Sequence, residues 1–128
     1  MQISHLDHLV LTVRDIQQSI DFYTQVLGMQ LVEFANNRKA LKFSNQKINL
    51  HQAGNELKPH ADNPAAGSAD LCFIVKTPVI EIINELKQHH IPIETGPVER
   101  NGATKPLISI YIRDPDNNLI ELSNAVDG

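Results

Sequence analysis

Apolar positions in the first half of the chain predict a strand, a helix and three further strands. The run "LDHLVLTV" predicts a strand at about residues 6–13, and "QLVEFA", "KALKF" and "KINLHQ" predict three short strands separated by turn residues. Between them, Asp15 is a favourable N-cap and Gly28 a helix stop, which predicts a helix from about residue 15 to 27. One face of that helix carries apolar residues at helical spacing, namely Ile16, Ile20, Tyr23 and Leu27.

The second half repeats the same order of elements. "DLCFIV" predicts a strand, and "TPVIEIINELKQHH" predicts a helix with Thr77 as cap and Pro78 at its first position. "IPIE", "PLISIYIR" and "NLIELS" predict three strands, the last two joined by a type I turn over residues 114–117. The order βαβββ, twice, predicts an α+β fold in which two modules form a curved mixed sheet with the helices outside.

The repeat also sets the expected domain organisation. A chain of 128 residues is of the size of a single domain. We expect module one at about residues 4–53, a linker rich in Pro, Gly, Ala and Asn at about 54–68, and module two at about 69–124.

Composition and charge exclude several classes of function. The net charge of −4 offers no basic surface for nucleic acid or for an anionic membrane. No apolar run approaches the roughly 18 residues that span a bilayer, and the N-terminus lacks the pattern of a signal peptide. The single cysteine, Cys72, fits a reducing compartment. We therefore expect a soluble cytoplasmic protein.

Four ionisable residues interrupt the apolar strands: His8, His51, Asp70 and Glu121. Burying such side chains is unfavourable unless something compensates them, and a divalent cation would compensate all four together. By position in the repeat, we expect His8 to match Asp70 in the opening strands. We likewise expect His51 to match Glu121 in the closing strands, so that duplication yields two pairs.

Alternation along the strands predicts which other side chains lie near these four. The isoleucines of "PLISIYIR" face a helix, so Ser109 and Tyr111 lie on the face of Glu121. The same reasoning places Asn49 beside His51 and Cys72 beside Asp70. The candidate substrate contacts are therefore Ser109, Tyr111, Asn49 and Cys72.

Two signatures, "LDHLVLTVRDIQQSIDFYTQVLGMQL" and "IYIRDPDNNLIELS", resemble the vicinal-oxygen-chelate superfamily, also called the glyoxalase/bleomycin-resistance/dioxygenase family. "KINLHQ" and "GSADLCFIV" are similar to its small glyoxalase-domain-5-like or virulence-associated members. The resemblance covers essentially the whole chain. It implies a divalent metal in a cup-shaped sheet, held at the positions of His8, His51, Asp70 and Glu121. Relative to glyoxalase I enzymes, the carboxylate and the histidine are exchanged between the modules. Ser109 and Tyr111 match residues that hold phosphonate in fosfomycin-modifying relatives.

This ligand set, without thiolate, suits Mn²⁺, Fe²⁺, Co²⁺, Ni²⁺ or Zn²⁺. We expect a metal-dependent lyase, isomerase or transferase that binds two neighbouring oxygens of a small substrate, with Glu121 or His51 as general base. Arg38 and Arg100 are candidates to hold an anionic group. An exposed sheet edge in each module favours a homodimer.

Two alternatives remain open. One is an Fe(II)-dependent dioxygenase, which would use two histidines and one carboxylate. The other is a metal-free protein that sequesters a small molecule or antibiotic, a function that the low aromatic content of 5% disfavours because such proteins stack their ligands on aromatic rings.

Overall fold

The computed structural model describes residues 1–127 and confirms the α+β class and the βαβββ order of both halves. Hydrogen bonding divides the eight strands into two four-stranded mixed sheets. No helix within residues 1–127 is long and apolar enough to cross a membrane. The elements, in chain order, are β1 (His8–Val13), α1 (Ile16–Asp21), a π-helical turn (Phe22–Val26), β2 (Gln30–Phe34), β3 (Arg38–Phe43), β4 (Gln46–Gln52), β5 (Asp70–Ile74), α2 (Val79–Gln88), β6 (Thr95–Asn101), β7 (Pro106–Arg113) and β8 (Leu119–Ala125).

The chain forms two compact units, the first spanning Met1–Gly67 and the second beginning at Ser68. The strand order is β1-β4-β3-β2 in the first unit and β5-β8-β7-β6 in the second. In both units the opening strand pairs in parallel with the closing strand, and the other pairs are antiparallel. Each unit therefore repeats the same topology.

In the first unit, α1 begins where the sequence predicts. The Asp15 side chain accepts a hydrogen bond of 3.1 Å from the Gln18 backbone N–H, which caps the helix. The helix continues as the π-helical turn, in which Tyr23 is buried.

The Ile16 backbone N–H donates to Oε1 of Gln52 at 3.4 Å, and Gln52 lies on the same side of β4 as Ile48, so α1 packs on that side of the sheet. One face of this sheet is therefore apolar and faces α1, and the other carries polar side chains among apolar ones such as Val10 and Ala40.

In the second unit, α2 covers the isoleucine face of β7, as predicted. The expected cap is wrong, since α2 begins at Val79 and Pro78 makes no side-chain capping bond. Instead, Asn124 on β8 accepts a hydrogen bond of 2.8 Å from the Val79 N–H. Its amide also donates to the carbonyls of Val75 and Thr77, at 3.0 and 2.9 Å. A residue distant in sequence thus supplies the cap.

The predicted strand "IPIE", residues 91–94, is also wrong, because none of it belongs to β6, which begins directly after it at Thr95. The register of β6 on β7 shifts between Thr95 and Val98, next to Gly96. The segment "TGPVERN" has no apolar alternation, so its pairing with β7 was not visible in the sequence pattern.

Candidate functional site

The strand register in the first unit brings the predicted polar residues to one face of the sheet. His8 lies opposite Lys47, Val10 opposite Asn49, and Thr12 opposite His51. Since paired residues point to the same side, His8, Asn49 and His51 share the face away from α1.

His51 and Asn49 are buried on this face without partners. His51 is 6% exposed and Asn49 is 5% exposed. Both ring nitrogens of His51 and the Oδ1 atom of Asn49 are buried and lack a hydrogen-bond partner, and within residues 1–127 no other side-chain atoms are in this condition. An unsatisfied buried polar group costs about 1–3 kcal/mol. These atoms are therefore suited to bind something that the polypeptide itself does not supply.

The environment of His51 keeps its imidazole neutral. Burial lowers the pKa of His51 below its ordinary value, and the positive charge of Arg38 lowers it further. The Arg38 guanidinium also lies 4.9 Å from the centre of the Phe34 ring. A neutral imidazole is the form that can bind a metal ion.

His8 lies at the exposed start of β1, with its side chain 44% exposed. Its Nδ1 is 2.8 Å from Oδ2 of Asp7, and this hydrogen bond lowers the pKa of the Asp7 carboxyl. A carboxylate on Nδ1 fixes the imidazole tautomer in which Nε2 carries the free lone pair, as metal-binding histidines commonly require.

In the second unit, the register confirms the predicted face. Glu121 lies opposite Cys72 on one side and Tyr111 on the other, and Ser109 lies opposite Ser123. Glu121 is partly exposed, whereas Ser109 and Ser123 are fully buried. The sheet thus places Glu121 on the same face as two buried hydroxyl groups, one pair of positions further along β7 and β8.

The polar atoms of this second face are bonded to one another. The hydroxyls of Ser109 and Ser123 are 2.7 Å apart, and Ser123 donates to Oε2 of Glu121 at 3.4 Å. The Cys72 sulfur is 3.4 Å from the Ser123 hydroxyl. Partial burial raises the pKa of the Cys72 thiol, its hydrogen bond with Ser123 opposes this, and the charge of Glu121 together with a hydrogen bond to that carboxylate raises the pKa further, so the thiol stays protonated at neutral pH.

Tyr111 has a partner that the sequence did not reveal. Its hydroxyl accepts a hydrogen bond of 2.9 Å from Nε of Arg100, whose guanidinium carbon lies 5.5 Å from the ring centre. Both residues were candidates separately. Only the pairing of β6 with β7 brings them together, and the irregular β6 gave no signal for it.

Asp70 lies exposed at the start of β5, and the neighbouring backbone is fixed by the β7–β8 turn. The Asn118 amide oxygen accepts a hydrogen bond of 2.8 Å from the Ala69 N–H. Asn118 is held in turn by Asp114, whose carboxylate accepts from the Asn118 backbone at 2.9 Å and from its side chain at 2.8 Å. The predicted turn at residues 114–117 is confirmed, and it also positions the strand that carries Asp70.

The expected match of His51 with Glu121 is wrong by two residues. In the second unit Asp70 pairs with Leu119, and Glu121 follows two residues later. In the first unit His8 pairs with Lys47, and two residues later comes Asn49. The position equivalent to Glu121 is therefore Asn49, and His51 lies a further two residues along β4, roughly 13 Å along the strand from the row of His8. Both closing strands contain an ionisable residue, so the apolar pattern alone could not fix this alignment.

Within neither unit do three or more His, Cys, Asp or Glu residues from the described part of the chain form a group that could hold a metal ion. The first unit offers His8, Asn49 and His51 on one face. The second offers Asp70 and Glu121 on one face, with Cys72 and Tyr111 beside them.

Comparison with known proteins identifies the family. The profile of the Glyoxalase/Bleomycin resistance protein/Dioxygenase superfamily matches residues 5–122. The chain is 57% identical to virulence protein STM3117 of Salmonella typhimurium, over 98% of this chain and 88% of that protein. The crystal structure of that protein matches with a TM-score of 0.97 and covers 98% of this chain and 100% of the other.

Two further relatives carry names that refer to glyoxalase-type proteins. Glyoxalase domain-containing protein RDO1 of Mycosarcoma maydis is 51% identical, over 99% of this chain and 72% of that protein. Lactoylglutathione lyase of Escherichia coli O157:H7 is 32% identical, over 94% of this chain and 92% of that protein. With its two βαβββ units, this chain belongs to the Glyoxalase/Bleomycin resistance protein/Dioxygenase superfamily.

Proposed function

We propose that this protein is a divalent-metal-dependent enzyme of lyase, isomerase or transferase type, acting on a small oxygen-rich molecule. The proposed ligands are His8 from the first unit and Asp70 and Glu121 from the second, with His51 as an alternative fourth ligand because it lies four residues along β4 from the row of His8. Asn49 is added as a further candidate donor, because it occupies the register position that matches Glu121.

The observation that carries this proposal is the pair of buried, unpartnered side chains on β4. Imidazole nitrogens and amide oxygens both bind divalent cations through lone pairs. Asn49 Oδ1 carries such lone pairs, and because the lowered pKa of His51 keeps its ring neutral, one of the two unpartnered His51 nitrogens also has a free lone pair while the other carries a proton. The histidine and carboxylate donors suit Mn²⁺, Fe²⁺, Co²⁺, Ni²⁺ or Zn²⁺. A bound cation would satisfy Asn49 Oδ1 and the lone-pair nitrogen of His51, and the His51 N–H would remain free to donate to a bound water or substrate oxygen.

The remaining residues define what the site can do to a substrate. A bound divalent ion supplies Lewis acidity toward a substrate oxygen. The partly exposed carboxylate of Glu121 can accept a proton as general base. Because the Tyr111 hydroxyl accepts from Arg100, its own proton remains available to donate to a substrate oxygen. The Arg100 guanidinium adds a positive charge that favours an anionic substrate group.

The relatives support the reaction class more than the substrate. The lactoylglutathione lyase relative favours a lyase among the three types. The names of the virulence protein and of the glyoxalase domain-containing protein specify no substrate.

Metal content tests the proposal directly. The protein purified without chelator is analysed for bound metals, and Mn²⁺, Ni²⁺ and Zn²⁺ are titrated into the stripped protein by calorimetry. We expect binding of a divalent ion, weakened more than about tenfold in His51→Ala or Glu121→Gln. The matched control, His89→Ala, removes an exposed imidazole and should leave the affinity unchanged. If the wild-type protein contains no metal and binds none of these ions, the proposal is refuted.

A further inference from the structure

We propose that Ser123 is a positioning residue that fixes the carboxylate of Glu121, and that Ser109 and Cys72 set the direction of its hydroxyl proton. The role of Glu121 as a metal ligand rests on the proposed function. The hydrogen-bonded chain itself does not, and it can be tested in the metal-free protein.

Counting donors and acceptors determines the direction of the chain. An ionised carboxylate only accepts, so the Ser123 proton points to Glu121 Oε2 across the 3.4 Å contact. The Ser123 oxygen then has lone pairs for two donors. We assign the Ser109 hydroxyl, at 2.7 Å, to one of them and the Cys72 thiol, at 3.4 Å, to the other. The thiol also forms a hydrogen bond with the Glu121 carboxylate. Reversing the Ser123 hydroxyl would remove the serine donor from this carboxylate oxygen and leave the Cys72 thiol as its neighbouring donor in the protein.

The hydrogen bonds of this series connect three neighbouring strands on one face of the sheet. Cys72 is on β5, Ser123 and Glu121 are on the adjacent β8, and Ser109 is on β7. Ser109 and Ser123 are both 0% exposed, so bulk water does not compete for their hydroxyls. In such surroundings hydrogen bonds are stronger and more directional than at the surface. Ser123 is therefore suited to hold the Glu121 carboxylate in one orientation.

Ser109 consequently has a different role from the one the sequence indicated. Its hydroxyl is buried and bonded to Ser123, and is not presented for contact with a substrate. Cys72 is the exposed end of this hydrogen-bonded series and is the only cysteine in the sequence. A spectroscopic signal from a thiol therefore reports on the hydrogen bonds of Cys72 alone.

The first experiment records the S–H stretching band of Cys72 by Raman spectroscopy in the metal-free protein. The S–H stretching band of a thiol that donates a hydrogen bond lies at lower frequency than the band of a free thiol. We expect the band to move to higher frequency in Ser123→Ala, because the acceptor is removed, and to stay in place in Ser19→Ala. Ser19 is a matched control, since it is also fully buried but lies on α1 of the first unit. An unchanged band in folded Ser123→Ala would overturn the hydrogen-bonded chain.

The second experiment measures Mn²⁺ affinity and its transmission to Cys72. In the wild-type protein we expect Mn²⁺ to shift the S–H band. In Ser123→Ala we expect no such shift and an affinity lower by about 10–100-fold, typical for loss of a residue that orients a metal ligand. Ser109→Ala, which keeps the Ser123 hydroxyl, should give a smaller loss, and it serves if Ser123→Ala does not fold. Ser123→Thr, which restores a hydroxyl, should recover part of the affinity.

The outcomes separate the two proposals. If the wild-type protein binds no metal while the band moves in Ser123→Ala, the proposed function fails and the hydrogen-bonded chain stands. If the wild-type protein binds Mn²⁺ and Ser123→Ala binds it equally well, the positioning role of Ser123 is overturned and the proposed function stands.

Discussion

The polar faces of the two units differ in how their buried polar atoms are satisfied. In the first unit, His51 and Asn49 are buried and their unpartnered atoms have no hydrogen-bond partner in the protein. In the second unit, Ser109 and Ser123 are buried even more completely, and their hydroxyls are hydrogen-bonded to each other at 2.7 Å. The topology is the same in both units, so the difference comes from the side chains at matching positions.

The comparison indicates where buried polar atoms are satisfied within the protein and where they are left without a partner. By register, Asn49 matches Glu121, and His51 matches Ser123. In the second unit the residue at the last position supports its neighbour through a hydroxyl. In the first unit an imidazole stands there, and it makes no such bond. The first unit carries a cost that a ligand can relieve, whereas the second holds its carboxylate without one.

The largest expected effect comes from disturbing the backbone next to Ser109. A Cβ atom added at Gly96 would lie 2.5 Å from the Ser109 carbonyl oxygen and 3.0 Å from the Ile110 Cα, and Gly96 has a φ of +111°. We expect Gly96→Ala to lower the free energy of unfolding by about 3 kcal/mol, as measured by urea denaturation.

Gly28→Ala in the first unit is the matched control for this experiment. Gly28 also has a positive φ, of +73°, but an added Cβ would meet nothing within 4 Å. It should cost only about 1 kcal/mol, from backbone strain alone. Equal losses at the two positions would contradict the close approach of β6 to Ser109.

A smaller change in the free energy of unfolding, of opposite sign in the two units, tests the difference between their polar faces. Replacing Asn49 by Leu removes an unpartnered buried oxygen, so we expect Asn49→Leu to stabilise the metal-free protein by about 1 kcal/mol. Replacing Ser109 by Ala removes one half of a buried hydrogen bond, so Ser109→Ala should destabilise it by about 1–2 kcal/mol. Urea denaturation of both variants without metal gives the two changes. Destabilisation of similar size in both would show that Asn49 is satisfied in solution.

The smallest effect is the dependence of stability on pH through His51. The pKa of His51 is lowered in the folded protein, chiefly by burial, from an ordinary value of 6.5. At a pH between the lowered pKa of the folded protein and the ordinary pKa of 6.5, the unfolded chain binds more protons than the folded one. The free energy of unfolding therefore falls as the pH drops through this window. We expect His51→Gln to reduce this dependence and His90→Gln, which removes an exposed imidazole, to leave it unchanged. Denaturation from about pH 8 to about pH 5 measures both slopes, and identical slopes in His51→Gln and the wild-type protein would refute the buried neutral state.

Much of the fold was predictable because it depends on local patterns. Asp15 caps α1, the isoleucines of β7 face α2, and the turn at residues 114–117 joins β7 to β8, as the sequence predicts. Short-range periodicity and turn chemistry determine these features. The start of α2 was not predictable in the same way, because its cap comes from Asn124, 45 residues away in sequence.

The candidate site likewise contains features that the sequence predicted and features that it did not. Strand alternation correctly placed Ser109 and Tyr111 on the face of Glu121, and Asn49 on the face of His51. The sequence by itself determined which residue types lie on which face, since a period of two follows from backbone geometry. Only the tertiary structure decided the register, and with it that Asn49 rather than His51 matches Glu121. It also decided which buried polar atoms find partners, because hydrogen bonds between strands depend on distances that alternation does not specify.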